Sequence, residues 1–325
     1  MAALTCASNS RLPSHLQSRS GEVKGHAGKS ISEARDRGRL PREATAYDVR
    51  VSPNNDRWVE NRTGHGRLVP WAEIWNAREL IGFFALRDLR VRYKQAILGV
   101  AWVVVQPAVT VAAFTLAFDR LAGVDSRGLP YPVFALTGLL AWTYLSESIS
   151  RGSESLSSNT SLVTKVYFPR LIAPMAALLP PMVDLGVGLV LLAVLCVAYG
   201  VAPSAALLLL PVWFVLLVLT ALGPVLLLAA LNVRFRDVRH LITPMLQALL
   251  FLSPVAYSAN GLTGVRRLLY ALNPAFAVLE LARFVLIGGP WPGPAVALSI
   301  VTATLFAVAG LVYFQRAQRS FADVI

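Results

Sequence analysis

Residues 97–118 pass without a single Asp, Glu, Lys or Arg, directly after a segment, 87–96, that holds Arg87, Arg90, Arg92 and Lys94. Few folds can accept such a run. Crossing the ~30 Å hydrocarbon core of a bilayer takes about 20 mostly apolar residues. With no water there, every backbone group has to be bonded within the segment, which selects the helix. The basic residues want water and lipid phosphate; the residues from Ile97 onward want hydrocarbon. Leu98-Gly99 is therefore expected at a membrane surface, where the chain turns into the bilayer.

The pattern recurs. Segments 97–118, 131–149, 171–199, 204–231, 241–257 and 294–314 have the length and apolarity of spans or come near it. Pro132, Ser146, Glu147 and Ser148 dilute the second. Pro174, Pro180, Pro181 and Asp184 are expected to kink or break the third, and the fifth is short, with Pro244 and Pro254. Upstream, Trp71, Ile74, Trp75, Leu80, Ile81, Phe83 and Phe84 supply an apolar side, and Arg78, Arg87 and Arg90 a polar one, as in helices that lie in a membrane interface. Between the last two spans, Leu268 to Ile287 is apolar but interrupted at Asn273-Pro274, and it carries Glu280 and Arg283. A re-entrant hairpin on the outer side is expected there, with two short extracellular helices as the alternative. The fold class is thus an all-α integral membrane protein: six transmembrane helices preceded by an amphipathic cytoplasmic interface helix. Residues 1–67 form a polar, disordered cytoplasmic tail, 68–96 the interface helix and 97–325 the membrane domain.

Charge sets orientation. Of the chain's residues, 55% are hydrophobic and 15% charged, against about 25% charged in soluble domains. Taking the N-terminus as cytoplasmic, inner segments 87–96, 150–170, 232–240 and 315–325 hold 12 Lys/Arg, and outer segments 119–130, 200–203 and 258–293 hold 5. The positive-inside bias places both termini in the cytoplasm of a multi-pass inner (plasma) membrane protein. The net charge of +12 then serves topology and membrane lipids, with no nucleic-acid partner expected. Cys6 and Cys196 are too few for a disulfide framework, and three of the four histidines lie in the tail, so no metal site is expected. Gly28-Lys29-Ser30 resembles the end of a phosphate-binding loop, but Val23 stands where that pattern needs Gly. No cofactor is expected on this chain, and no catalytic residue.

Five ordered blocks carry a resemblance. The first is Arg87-Asp88 through Tyr93-Lys94 with Leu98-Gly99, Trp102 and Gln106-Pro107. The second is Asn159, Leu162 and Lys165 with Tyr167-Phe168-Pro169-Arg170. Asn232 with Phe235-Arg236-Asp237, then Ser253-Pro254-Val255, then Asn273-Pro274 complete the set. In these the chain, over about residues 70–325, resembles the permease subunit of type-2 ABC exporters for polysaccharides, the group that moves O-antigen, teichoic acid or cell-wall galactan chains. The resemblance implies a homodimer bound to two copies of a cytoplasmic ABC ATPase, which would hold the ATP and Mg, and a lipid-linked glycan as cargo carried across the bacterial inner membrane. A type-2 permease for a lipid or drug is the alternative. An integral membrane enzyme of glycan or phospholipid chemistry is disfavoured, because the carboxylates near the membrane surface stand singly.

The resemblance also implies that 151–165 contains a short coupling helix for the ATPase, with Arg151, Ser153, Glu154, Ser157, Asn159 and Lys165 as its contacts; an inert connector is the plain alternative. Arg87, Asp88, Arg90, Arg92, Tyr93 and Lys94 would meet lipid head groups, although anchoring alone accounts for the basic residues. Asn232, Arg236 and Asp237 form a second cytoplasmic cluster or simply a turn. Asp184 lies inside a predicted span, where a charge costs about 2.5–3.5 kcal/mol and usually faces a cavity or partner. An aromatic belt is the default reading of the outer Tyr131, Phe134, Tyr257, Tyr270 and Trp291. In a sugar exporter, Trp102, Phe114, Tyr131, Trp142, Tyr144 and Tyr257 would offer ring faces to a passing chain.

Overall fold

The computed structural model describes residues 78–94, 101–121, 123, 126, 128–159, 169–235, 237–257, 259 and 264–318, without the side chains of 93, 94, 103, 120, 121 and 159. Among these residues there are helices and turns and no strand. In chain order the helices are α1 (Arg78–Lys94), α2 (Ala101–Phe114), α3 (Tyr131–Glu154), α4 (Ile172–Ala176), α5 (Leu179–Ala198), α6 (Leu210–Arg234), α7 (Val238–Leu252), α8 (Gly264–Ala271), α9 (Pro274–Ile287) and α10 (Ala295–Ala317). A π-helical turn, Thr115–Leu121, continues α2, and 3-10 turns follow α3 at Ser157–Asn159 and precede α6 at Ala205–Leu209.

Three helical stretches are long and apolar enough to cross a membrane: Ile172–Ala198, Ala205–Arg234 and Ala295–Ala317. A fourth arises if α8 and α9, bent by 100° at Leu272-Asn273, count as one broken span. The expected first and fifth spans appear as shorter apolar helices, Val104–Asp119 and Val238–Leu252. The diluted second is α3, which is long enough but more polar. Its polarity fits its place, because 17 of its 24 residues are buried among α2, α5, α6 and α9 rather than facing lipid. The predicted break in the third span falls at Ala177-Leu178, just ahead of Pro180-Pro181, which start α5 where their missing N–H groups cost nothing.

The closest pairing is α6 against α10. A Cβ added to Gly223 would stand 2.8 Å from the Ala307 amide nitrogen, and one on Gly310 would collide with the Gly223 carbonyl. Two glycines thus let the backbones touch, the device by which helices gain packing when lipid offers no hydrophobic drive. At one end of the bundle Phe84, Leu156, Ile172, Leu226 and Phe314 bring α1, α4, α6 and α10 into one cluster with the end of α3; this is the basic end. There Arg170 donates to the Gln318 carbonyl at 2.5 Å, closing the C-terminus of α10 with a cation.

At the opposite end, Asn273 caps α9. Its Oδ1 accepts the Ala275 N–H at 3.0 Å while Nδ2 donates to Ser253 Oγ at 2.8 Å, and Pro274 takes the first helical position. Ser299 on α10 accepts the Ala277 N–H at 3.0 Å and donates to the Asn273 carbonyl at 2.8 Å. The Asn-Pro pair is therefore a helix start built into the core, with α9 buried along most of its length.

One expectation needs correction. Leu80, Ile81, Phe83 and Phe84 were grouped on a single apolar side of α1. Leu80, Ile81 and Phe84 pack into the bundle, whereas Phe83, Leu86 and Val91 project outward. Phe83 and Phe84 are adjacent and so point about 100° apart around a helix. Trp71, Ile74, Trp75, the tail and the Leu98-Gly99 corner lie outside the described residues.

Candidate functional site

Four helices line a partly open cavity of ≈ 70 Å³ toward the basic end. Arg92 reaches it from α1, Gln106 and Thr110 from α2, Thr143, Tyr144 and Glu147 from α3, and Asp184 from α5, over a floor that includes Leu139, Leu140 and Leu185. Glu147 lies seven residues inside the end of α3, about 10 Å along its axis.

Arg92 and Asp184 form a partly buried ion pair across this space, tying α1 to α5. Glu147 accepts from Arg151 Nε at 2.9 Å, one turn on. Tyr144 is only 1% exposed, and its buried hydroxyl lies beside that of Ser148, one turn on along α3. Thr110 donates to the main-chain carbonyl of Gln106 at 2.9 Å, and the Gln106 side chain is exposed.

The other predicted residues distribute as follows. Arg87 pairs with its neighbour Asp88 at 2.9 Å and sits 5.2 Å over the Phe84 ring, so Asp88 is spent within α1. Arg90 is exposed. The side chains of Tyr93, Lys94 and Asn159, and all of Lys165 and Arg236, lie outside the described residues. The stretch expected as a loop from Arg151 is helical as far as Glu154, because Arg151 and Ser153 belong to the last turns of α3. Ser157 and Ser158 then both donate to the Glu154 carbonyl, at 3.1 and 2.8 Å, leaving Glu154, Ser157 and Ser158 exposed above a fully buried Leu156.

Asn232 is buried, and its amide donates to the Ser153 carbonyl at 3.0 Å and Ser157 Oγ at 3.2 Å. It belongs with the end of α3 and the turn after it rather than with Asp237, which is exposed at the start of α7.

The aromatics divide in two. Tyr131, Phe134, Trp142 and Tyr144 are buried in the core, Tyr131 donating to the Ala256 carbonyl at 2.9 Å. In this arrangement their rings are covered by neighbouring side chains and do not form a belt. Trp102, 52% exposed, Phe114 and Tyr257 keep accessible surface, as does Trp291. Tyr257 meets the Tyr270 hydroxyl at 3.2 Å.

Residues 79–287 match the ABC-2 type transporter family. The chain belongs to this family. It is similar to the O-antigen export system permease protein RfbA of Myxococcus xanthus, with 29% identity over 258 residues, 78% of this chain and 98% of the relative. Two Klebsiella pneumoniae proteins of the same name show 22% identity over 254 residues and 21% over 248, each match spanning 76% of this chain and 95% of the relative.

In this ABC-2 transporter chain the cavity adds Glu147, Thr110 and Thr143 to the residues singled out by sequence, and gives Gln106 of the first block a place. Glu147 had counted only as a dilution of the second span. The signal was its charge, because a carboxylate in a membrane segment is costly unless it faces a cavity or partner. A second polar centre was also visible only as two letters. Glu280 and Arg283 are each 1% exposed and paired at 2.8 Å, with Arg283 donating to the Pro254 and Val255 carbonyls at 2.6 and 2.8 Å. Among the described residues no three His, Cys, Asp or Glu side chains gather as a metal site.

Proposed function

We propose that this chain is the transmembrane subunit of an ATP-driven exporter that moves a lipid-linked polysaccharide from the cytoplasmic side across the bacterial inner membrane. One observation carries the reading: proteins named as O-antigen export permeases align over 95–98% of their own length with a chain of the ABC-2 family. In this reading two copies of the chain make the pathway, and two copies of a separate ATPase hold ATP and Mg. The six spans of the sequence reading comprise α2, α3, α4–α5, α6, α7 and α10, with α8–α9 as a re-entrant hairpin on the outer side and both termini in the cytoplasm.

The site geometry fits these roles. Exposed Ser157 and Ser158, anchored by Leu156 and Asn232, offer a small polar surface for the ATPase to press upon. Arg87 and Arg90 of α1 receive the lipid diphosphate, and Trp102, Phe114 and Tyr257 retain ring surface toward the pathway.

Gentle detergent extraction of the tagged full-length chain tests the assignment. A nucleotide-hydrolysing partner is expected to co-purify in a fixed ratio, and deleting the gene for this chain is expected to strip a glycan from the cell surface. A chain that purifies alone under several mild conditions, from cells whose surface glycans are unchanged by its loss, would refute the proposal.

A further inference from the structure

We propose that the cavity between α1, α2, α3 and α5 recognises a neutral hydroxylated ring: one sugar of the carried glycan, close to its lipid link. The proposal deepens the exporter reading and rests on it.

Charge selects the ligand class. The described wall carries one arginine and two carboxylates, with Arg151 beside Glu147, so its charges cancel. A phosphate entering here would have to draw Arg92 from Asp184 and would face Glu147. A polyol meets no such repulsion, because hydroxyl groups donate to carboxylates and accept from amides and hydroxyls without bringing charge. The anionic part of the lipid is left to Arg87 and Arg90, on the same helix as Arg92 but outside the cavity.

The wall also keeps polar capacity in reserve. Arg151 occupies Oε2 of Glu147, and Oε1 accepts no bond from the described residues. Tyr144 lines the same wall, and its hydroxyl lies beside that of Ser148 one turn on, a pair that a ligand hydroxyl can join. Gln106 adds an amide, and Trp102 stands one helical turn before it on α2, exposed, with a ring that can cover an apolar sugar face.

Size limits the site to one unit. A water takes roughly 10–15 Å³ by the same measure, so ≈ 70 Å³ admits about five waters or one edge of a pyranose, and no chain.

The test uses the full-length chain with its co-purified ATPase in lipid nanodiscs. The probes are short polyprenyl diphosphates carrying one N-acetylglucosamine, galactose or mannose, and the same lipid without sugar. At least one glycosylated probe is expected to bind more tightly than the bare lipid. Tyr144→Phe and Glu147→Gln, which keep shape and remove a hydroxyl or a charge, should each weaken that probe about tenfold and leave the bare lipid unchanged.

Three results would overturn the proposal. In the first, the wild-type protein binds all four lipids alike. In the second, neither variant alters binding, which would make the groups purely structural. In the third, Glu147→Gln tightens every diphosphate lipid, which would make the cavity an anion site. None of the three touches the exporter reading, which stands or falls on the partner ATPase and the surface glycan.

Discussion

Arg283 holds more of the structure than its single letter indicates. Its guanidinium joins Glu280, the Pro254 and Val255 carbonyls and the face of Phe134, whose centroid is 4.1 Å away. The non-helical stretch after α7 is thereby bonded where no water can serve it, and Gly138 on α3 leaves the room, since a Cβ there would strike the Val255 carbonyl. Replacing Arg283 with Leu strands a buried carboxylate and two carbonyls. A stability loss of about 3–5 kcal/mol is expected in mixed-micelle unfolding. The double variant Glu280→Gln, Arg283→Met should lose less than Arg283→Leu alone, because no charge remains unpaired. Arg283→Lys should fall between wild type and Arg283→Leu, since an ammonium cannot reproduce the planar fork.

The helices themselves were legible because hydrocarbon demands them: every described segment predicted to span contains a helix, and the Pro180-Pro181 break appears two residues ahead of where the prolines stand. What composition could not supply was rotation. Phe83 and Phe84 are both apolar, and only packing tells which faces the bundle; likewise Tyr131 and Trp142 carry no mark that puts them in the core rather than on a path. The Asn273-Pro274 block was visible as an interruption, and its bonds identify it as the cap of α9. Asn273→Ala removes both the cap and the bond to Ser253, and should cost about 1–2 kcal/mol, read as earlier hydrogen exchange at the start of α9. A larger effect is expected at the α6–α10 contact. Gly310→Leu forces two backbones apart and should abolish a stable fold, measured as loss of the monodisperse peak on size exclusion, whereas Gly186→Ala, on a helical backbone with open space around it, should be retained there.

The arrangement of the two ends gives the molecule a sense of direction that labelling can check. In intact cells a membrane-impermeant maleimide should modify a cysteine at Ala202, in the turn between α5 and α6, and should reach one at Ser158 only after the membrane is opened. The background for both is the chain with Cys6 and Cys196 replaced. The reverse pattern would invert the topology. Along the axis joining those ends runs α6, fastened at both extremes: Asn232 to the turn at 157–159, and Trp213, whose indole donates to the Val278 carbonyl at 2.9 Å, to α9. A separation of 19 residues along the helix spans about 28 Å, nearly the hydrocarbon thickness. Mechanically α6 is a beam riveted at each end. Its weak joint is Pro224, which forfeits a hydrogen bond inside the helix. That joint adjoins Gly223, where α10 braces it backbone to backbone. The beam is thus stiffened where it would otherwise buckle, and its two ends are held as one rigid member.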